Sequence, residues 1–401
     1  MKPEYVLFHY DEIGLKGGNR SYFEKKLKQN IKAVVPSGTF SSIKTIQGRL
    51  VGKLSTDAQN DFYKFSSAIQ KVFGLAYFAP AVRCTQNEEV ISETAVLLLS
   101  ELSFSTFRIT ARRSGPDALL STQKLNEFAG ALVVEKLGKK VKLNHPDATC
   151  YIDLFHKNAF LYADRISGPG GLPVGVSGKV MCMISGGIDS PLAAYYTMKR
   201  GGKISLVHFH SMPYTNSASI DKVKEIISVL QQYQPRIILY SVPLAEIQKI
   251  IRTDTDEKYR ILLYRRFMIR IAETLSKLEK AKAMVTGEVL GQVASQTLEN
   301  MHVVEIVSSL PVLRPLIGFD KREIVDQTKQ MGTFEISIQP DQDCCSLFVP
   351  KHPATKARLI DIEKNESNLD VGKLVKDAVN LTEKFILSPD ESKPRLEPKP
   401  A

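Results

Sequence analysis

Cysteine is scarce in this 401-residue chain, which holds five: Cys84, Cys150, Cys182, Cys344 and Cys345. The number is odd and no Cys-x-x-Cys pair occurs. That excludes a disulfide framework and a cysteine zinc site, and it fits a reducing compartment. Long apolar runs are missing too. None approaches the about 20 residues that a membrane helix needs. The opening residues Met1-Lys2-Pro3-Glu4-Tyr5 lack the apolar core of a signal peptide. A cytoplasmic location with no membrane partner is the expectation. Acidic charge is in short supply: Asp and Glu number 43 against 54 Lys and Arg, giving a net charge of +11 and a sequence pI of about 9.2. This balance favours a polyanionic partner such as nucleic acid, with an acidic membrane surface as the alternative. The first 175 residues hold 23 Lys+Arg against 16 Asp+Glu, so they carry +7 of the +11.

The length exceeds one ordinary domain, and 43% hydrophobic content is normal for globular cores. Residues 1–60 read as a small α+β unit, with a strand at Tyr5–Tyr10, a helix from Ser21 to Val35 and an alternating strand over 43–53. Residues 61–165 form a second α+β block. Its expected elements are helices near Phe65–Phe73, Glu88–Leu102 and Thr122–Leu137, a basic strand over Thr106–Arg113 and a hairpin within 151–162. The Gly/Pro-dense stretch 166–178 reads as a linker. From 179 to 388 strands near 180–184, 203–209, 236–241 and 282–286 alternate with helices near 191–200, 218–233 and 260–280. That is the rhythm of a parallel sheet with crossover helices. The last residues, 389–401, contain four prolines and mixed charge and read as a disordered tail.

The most informative segment is Ser185-Gly186-Gly187-Ile188-Asp189-Ser190. It follows the apolar run Val180–Ile184 and precedes Pro191, which suits the first turn of a helix. Strand, glycine turn and helix start make an anion cradle, because backbone N–H groups and the helix dipole converge there. It is not a Walker A loop, since no Gly-Lys-Ser/Thr follows. Positive charge must therefore come from the backbone, a metal or distant side chains. The loop resembles the PP-loop of ATP pyrophosphatases, which cleave ATP between the α and β phosphates. In a parallel sheet ligands sit beyond the carboxyl ends of strands. His208-Phe209-His210, Thr286-Gly287-Glu288 and Gly291–Thr297 all fall at such ends.

These stretches, with Arg265-Arg266, Arg314-Pro315-Leu316, Asp320-Lys321 and Asp343-Cys344-Cys345, resemble the tRNA 4-thiouridine synthetases, or tRNA sulfurtransferases. The resemblance runs from Glu12 to Pro353. It implies an α/β fold: a C-terminal parallel-sheet PP-loop ATP pyrophosphatase domain, preceded by α+β ferredoxin-like (1–60) and THUMP RNA-binding (61–165) domains. It implies ATP contacts at Met183, Ile184, Ser185, Gly186, Gly187, Ser190, His208, Phe209, Arg265, Gly287 and Gln296. Met183, Ile184 and Phe209 could wall an adenine pocket, although Met183 and Ile184 read equally as core strand. Asp189 and Lys321 match positions that the family needs for activity. Asp189 would coordinate Mg²⁺ or orient the loop, and Lys321 would supply the missing positive charge.

Adjacent cysteines rarely bridge one another, so Cys344–Cys345 reads as a reactive pair, with two buried small hydrophobes as the bland alternative. A thiolate here could carry a persulfide, its pKa lowered if Lys351 and His352 lie near. The resemblance favours Cys344, with Cys345 as the alternative. Some family members carry a C-terminal rhodanese-like domain that delivers sulfur. This sequence ends about fifty residues after Cys345, so an external donor is expected, such as a cysteine desulfurase or sulfide. In the first half, Arg108, Arg112, Arg113, Lys139, Lys140 and Lys142 are candidate contacts to tRNA phosphates. The implied reaction is ATP-dependent conversion of a uridine in tRNA to 4-thiouridine. A carrier protein of thiamine synthesis is a further partner that the family implies, and a homodimer is compatible with the sequence. Rival readings are a PP-loop enzyme of different chemistry and a tRNA-binding protein with a relic ATP loop.

Overall fold

A computed structural model describes residues 1–46, 48–114, 120–155, 157–214, 217–340, 348, 350–389 and 395–397. Met1–Pro173 and Val174–Ala401 form two units. The first contains β1 (Tyr5–His9), α1 (Arg20–Ala33), β2 (Phe40–Ile46), β3 (Arg49–Leu54), α2 (Thr56–Ile69), β4 (Tyr77–Thr85), α3 (Glu88–Ser100), β5 (Thr106–Arg113), α4 (Thr122–Leu137), β6 (Lys140–Val141), β7 (Ala148–Phe155), β8 (Asn158–Tyr162) and β9 (Ile166–Ser167). Its strands join one sheet in the order β2-β3-β1-β4-β8-β7-β5-β6, with β9 on β4.

The boundary expected at residue 60 falls inside α2. Ser55 caps that helix by accepting from Ala58 N at 3.4 Å, so it starts nine residues before the expected Phe65. Strand β4 then bridges the two blocks, because Tyr77–Ala81 pairs with β1 and Val82–Thr85 with β8. The stretch expected as a linker at 166–178 is also tied down in part. Ile166 and Ser167 pair with Phe78 and Tyr77. Gly168 packs so closely on Leu75 that a Cβ would lie 2.3 Å from its carbonyl oxygen.

The second unit contains β10 (Lys179–Met183), α5 (Asp189–Lys199), β11 (Lys203–His210), α6 (Ala218–Leu230), β12 (Ile237–Pro243), α7 (Ala245–Asp254), α8 (Arg260–Glu279), β13 (Met284–Val285), α9 (Leu298–Glu305), β14 (Val312–Leu313), α10 (Lys321–Met331), α11 (Phe334–Ser337), α12 (Leu359–Glu366), α13 (Val371–Asn380), β15 (Glu383–Leu387) and β16 (Arg395–Glu397). The sheet order is β14-β13-β10-β11-β12-β15-β16. The first five strands are parallel, while β15 and β16 are antiparallel. A parallel strand covered on both faces is apolar along its length. Val180, Met181 and Cys182 of β10 are accordingly buried. Helix α8 packs Leu263, Phe267, Ile271 and Leu275 into the same core as Met181 and Val207. Pairing of β16 with β15 places Arg395–Glu397 in the sheet, so part of the tail expected to be disordered is a strand. Among the described residues no helix is long and apolar enough to cross a membrane.

Candidate active site

The turn after β10 is built by its two serines. Ser185 N donates to Ser190 Oγ at 2.8 Å, the two hydroxyls lie 3.1 Å apart, and Gly187 N donates to Ser185 Oγ at 3.3 Å. Helix α5 then begins at Asp189 with no side-chain cap. Its first-turn N–H groups therefore keep their capacity for an anion. The end of β13 closes on this loop. A Cβ on Gly287 would lie 2.7 Å from Ser190 N and 2.8 Å from Asp189 C. The ATP contact expected at Gly287 is thus joined by a packing role that only glycine fills. Gly287→Ala is expected to push the loop outward and weaken ATP binding at least tenfold, read by equilibrium titration, with far-ultraviolet circular dichroism unchanged.

A cleft of about 430 Å³ opens beside the loop. It gathers ten of the expected residues: Met183, Ile184, Ser185, Asp189, Ser190, His208, Phe209, Arg265, Gly287 and Gln296. Gly186 and Gly187 lie in the loop between Ser185 and Asp189. The apolar wall adds Ile261 and Met268 of α8. With Arg265 these two form one helical face (i, i+4, i+7), a periodicity visible in the sequence. His208 is buried, and its Nδ1 lies 3.0 Å from Ile184 O, so the ring braces β10. Gln296 contributes a buried Oε1 without a hydrogen-bond partner. A buried acceptor left unpaired is costly, and an exocyclic amine of a bound base would satisfy it.

Charge is distributed unevenly around the cleft. Lys321 Nζ donates to Asp189 Oδ1 at 3.2 Å, and Gln292 Nε2 donates to Asp189 Oδ2 at 3.1 Å. Lys321 opens α10, whose start is fixed by a reciprocal capping box between Asp320 and Glu323. Arg265 does not project alone into the cleft. It donates to Glu288 and, at 2.8 Å, to Ser295 Oγ. Glu288 also accepts from Arg314 Nε and Thr286 Oγ1, each at 2.8 Å. Burial pushes the Glu288 carboxyl up, but Arg265 and Arg314 outweigh it and hold it below the ordinary glutamate value. Sequence reasoning quoted Glu288 and Gln292 only as parts of a motif. Their roles need partners 23 to 103 residues away.

Cys344, with Cys345, lies outside the described residues. The chain that enters and leaves this segment is anchored near the cleft. Ser337 Oγ donates to Gly187 O at 3.4 Å, and Lys222 Nζ donates to Gln339 O at 2.6 Å. After it, Ala354 N donates to Lys258 O at 3.1 Å. The three described cysteines are poor thiolate candidates. Burial pushes Cys150 up to about 12 and pushes Cys182 higher still, and it raises Cys84 as well.

In the first unit Arg112, Arg113, Lys140 and Lys142 are exposed. Arg108 is occupied by Leu143 O at 2.9 Å, and Lys139 lies 5.3 Å from the Phe104 ring centroid. Arg112 contributes to a positive field that also includes Arg49 and Arg165. With burial as the larger cause, that field lowers His9 to about 3. The alternation of β5 pointed to Arg112; Arg49 joins it from β3 and Arg165 from the segment between β8 and β9.

A parallel sheet with a lysine-free serine–glycine loop at an uncapped helix start is the architecture of the PP-loop ATP pyrophosphatase class. Comparison with known proteins narrows this. Residues 175–371 match the family described as Thiamine biosynthesis protein (ThiI), residues 5–79 its ferredoxin-like domain and residues 85–164 the THUMP domain. A "Probable tRNA sulfurtransferase" of Moorella thermoacetica is 40% identical over 96% of this chain and 98% of its own length. One of Thermus thermophilus is also 40% identical, over 95% and 92%. The crystal structure of a 4-thiouridine synthetase–RNA complex with bound ATP superposes with a TM-score of 0.87 at 34% identity, covering 96% of this chain and all of that one. The chain belongs to the tRNA sulfurtransferase family.

Proposed function

We propose that this enzyme converts a uridine of tRNA to 4-thiouridine with ATP. The observation that carries the reading is the Ser185–Ser190 loop at the uncapped start of α5, with Asp189 held by Lys321 and Gln292 at the mouth of the cleft. ATP would place its base against Met183, Ile184 and Phe209, with the buried Gln296 Oε1 as acceptor, and its phosphates over the loop. The 34% identical ATP- and RNA-bound structure supports both ligands. Among the described residues no cluster of three His, Cys, Asp or Glu exists. A single carboxylate suits Mg²⁺ shared with substrate phosphates, and Asp189 is that carboxylate. Bound there, Mg²⁺ would neutralise phosphate charge.

In the proposed reaction the uridine O4 attacks the α-phosphorus, the bond to the β-phosphate oxygen breaks, and pyrophosphate leaves. The persulfide sulfur on Cys344 then attacks C4, and AMP departs with the former O4. A thiol takes Cys344 Sγ as a disulfide, the sulfur stays on C4, and an external dithiol restores the cysteine. A cysteine desulfurase supplies the persulfide by transferring sulfane sulfur to the Cys344 thiolate, its own cysteine leaving as a thiol. The matching family is described as a thiamine biosynthesis protein, which supports a second role in thiamine synthesis; a sulfur-carrier protein would be the acceptor there.

The test is incubation of the full chain with ATP, Mg²⁺, a cysteine desulfurase with free cysteine, a dithiol and unmodified tRNA. Pyrophosphate and the near-ultraviolet absorbance of 4-thiouridine are expected together. Cys344→Ser should abolish thiolation and spare pyrophosphate release. Loss of both would undo the persulfide assignment, and tRNA binding without either product would leave a binding protein.

A further inference from the structure

Between β13 and α9 the chain forms a strap, Gly291–Gln296, that lines the cleft through Gln292, Val293, Ser295 and Gln296. The strap is closed on itself, since Gly291 N donates to Gln296 O and Gln296 N to Val293 O, both at 2.9 Å. Its outer side is held by one side chain. Asn300, 0% exposed, donates Nδ2 to Ala294 O and to Ala354 O, each at 2.7 Å. Its Oδ1 accepts from Ala357 N at 3.0 Å. Two carbonyls on one side and an N–H on the other fix the amide orientation. Thr297 adds a second tie, with Oγ1 donating to Thr355 O at 2.7 Å.

We propose that Asn300 is a positioning residue that locks the nucleotide-lining strap to the limb Ala354–Ala357, which follows the cysteine pair in sequence. The inference rests on the reaction proposed above. A single buried amide satisfies one carbonyl of the strap and two backbone groups of the limb, so neither segment can shift without leaving a buried polar group unpaired. Nucleotide seated against Gln296 and Val293 therefore fixes the limb Ala354–Ala357, which follows Cys344 in sequence. Asn300 touches no reacting atom; its effect passes through Ala294 and Ala354.

The experiment uses the full chain and two readouts that a smaller folded fraction does not move: the equilibrium dissociation constant for ATP, and thiolated uridine formed per pyrophosphate released. Asn300→Asp sets a carboxylate against two carbonyls. It should weaken ATP binding about tenfold and lower the product ratio severalfold. Thr297→Val should move both in the same direction by about threefold, while Thr297→Ser, which keeps the hydroxyl, should match the wild type. An unchanged dissociation constant and product ratio in Asn300→Asp, with only the total rate reduced, overturns the proposal. If Asn300→Asp does not fold, equal values for Thr297→Val and Thr297→Ser overturn it. A wild type that binds ATP yet thiolates nothing sinks the reaction while the ATP affinities still decide the strap. A wild type that binds no ATP sinks both.

Discussion

Lys321→Met should lower the rate of pyrophosphate release by at least a hundredfold, leave ATP affinity within about threefold and move the melting temperature by less than about 2 °C. The geometry separates these effects. The Lys321 side chain is 56% exposed and Asp189 23% exposed, with 3.2 Å between their charged atoms. An ion pair so open to water contributes about 1 kcal/mol or less to folding, after screening and side-chain entropy. Methionine also keeps the aliphatic stem and leaves the Asp320–Glu323 capping box intact. Stability should therefore hardly change. The phosphate loop has no lysine of its own, and Lys321 meets Asp189 at the start of α5. In the proposed reaction charge builds on the phosphoryl oxygens as pyrophosphate leaves, and an ammonium there would lower the barrier more than it strengthens ground-state binding. Single-turnover pyrophosphate release checks the prediction. A rate within tenfold of wild type would remove Lys321 from the chemistry and return it to the surface.

The parts of this site that the sequence showed were local. Ser185–Ser190 was legible because a strand, a glycine turn and a helix start follow one another within about twenty residues. Backbone physics alone makes that an anion cradle. The positions of His208, Phe209 and Gly287 followed from the rule that strand ends in a parallel sheet share one edge. What the sequence did not show was pairwise and distant. Arg265 was expected to meet ATP. It is also the partner of Glu288 and Ser295, a fact set by how α8 packs against the end of β13. Arg108 reads as a phosphate contact in a basic strand, and one of its N–H groups is also given to Leu143 O. The domain edge expected at residue 60 failed for a related reason. Strand β4 pairs with β1 at one end and β8 at the other, and no composition shift marks a strand that serves two neighbours. The family matches accordingly run to residue 79 and resume at 85, inside and at the end of that strand.

Glu288→Ala should cost the second unit about 3–5 kcal/mol of stability, a fall of about 10 °C in melting temperature for a unit of this size. Glu288 is 4% exposed and answers three donors at once: Arg265, Arg314 and Thr286. Its removal does not simply delete an attraction. It leaves Arg265 without a carboxylate and Arg314 with Glu305 alone in a largely buried wall, and that residual repulsion and desolvation is the larger part of the cost. The double variant Glu288→Ala with Arg314→Ala should therefore lose less than the sum of the two single losses. Additive losses would show that the three groups do not act as a unit. The pH dependence has a definite sign. The folded carboxyl titrates below its ordinary value of 4.5, so its contribution is present above about pH 4.5 and is lost as pH falls through the folded value. The gap in stability between wild type and Glu288→Gln should be constant near neutrality and shrink below about pH 4.5. A gap that widens in acid would mean the carboxyl is protonated in the folded protein. Because Arg265 also holds Ser295 of the strap, releasing it from Glu288 frees the wall that faces the nucleotide. ATP affinity should then fall along with stability, and restoring ATP at saturating concentration should recover part of the lost melting temperature by mass action.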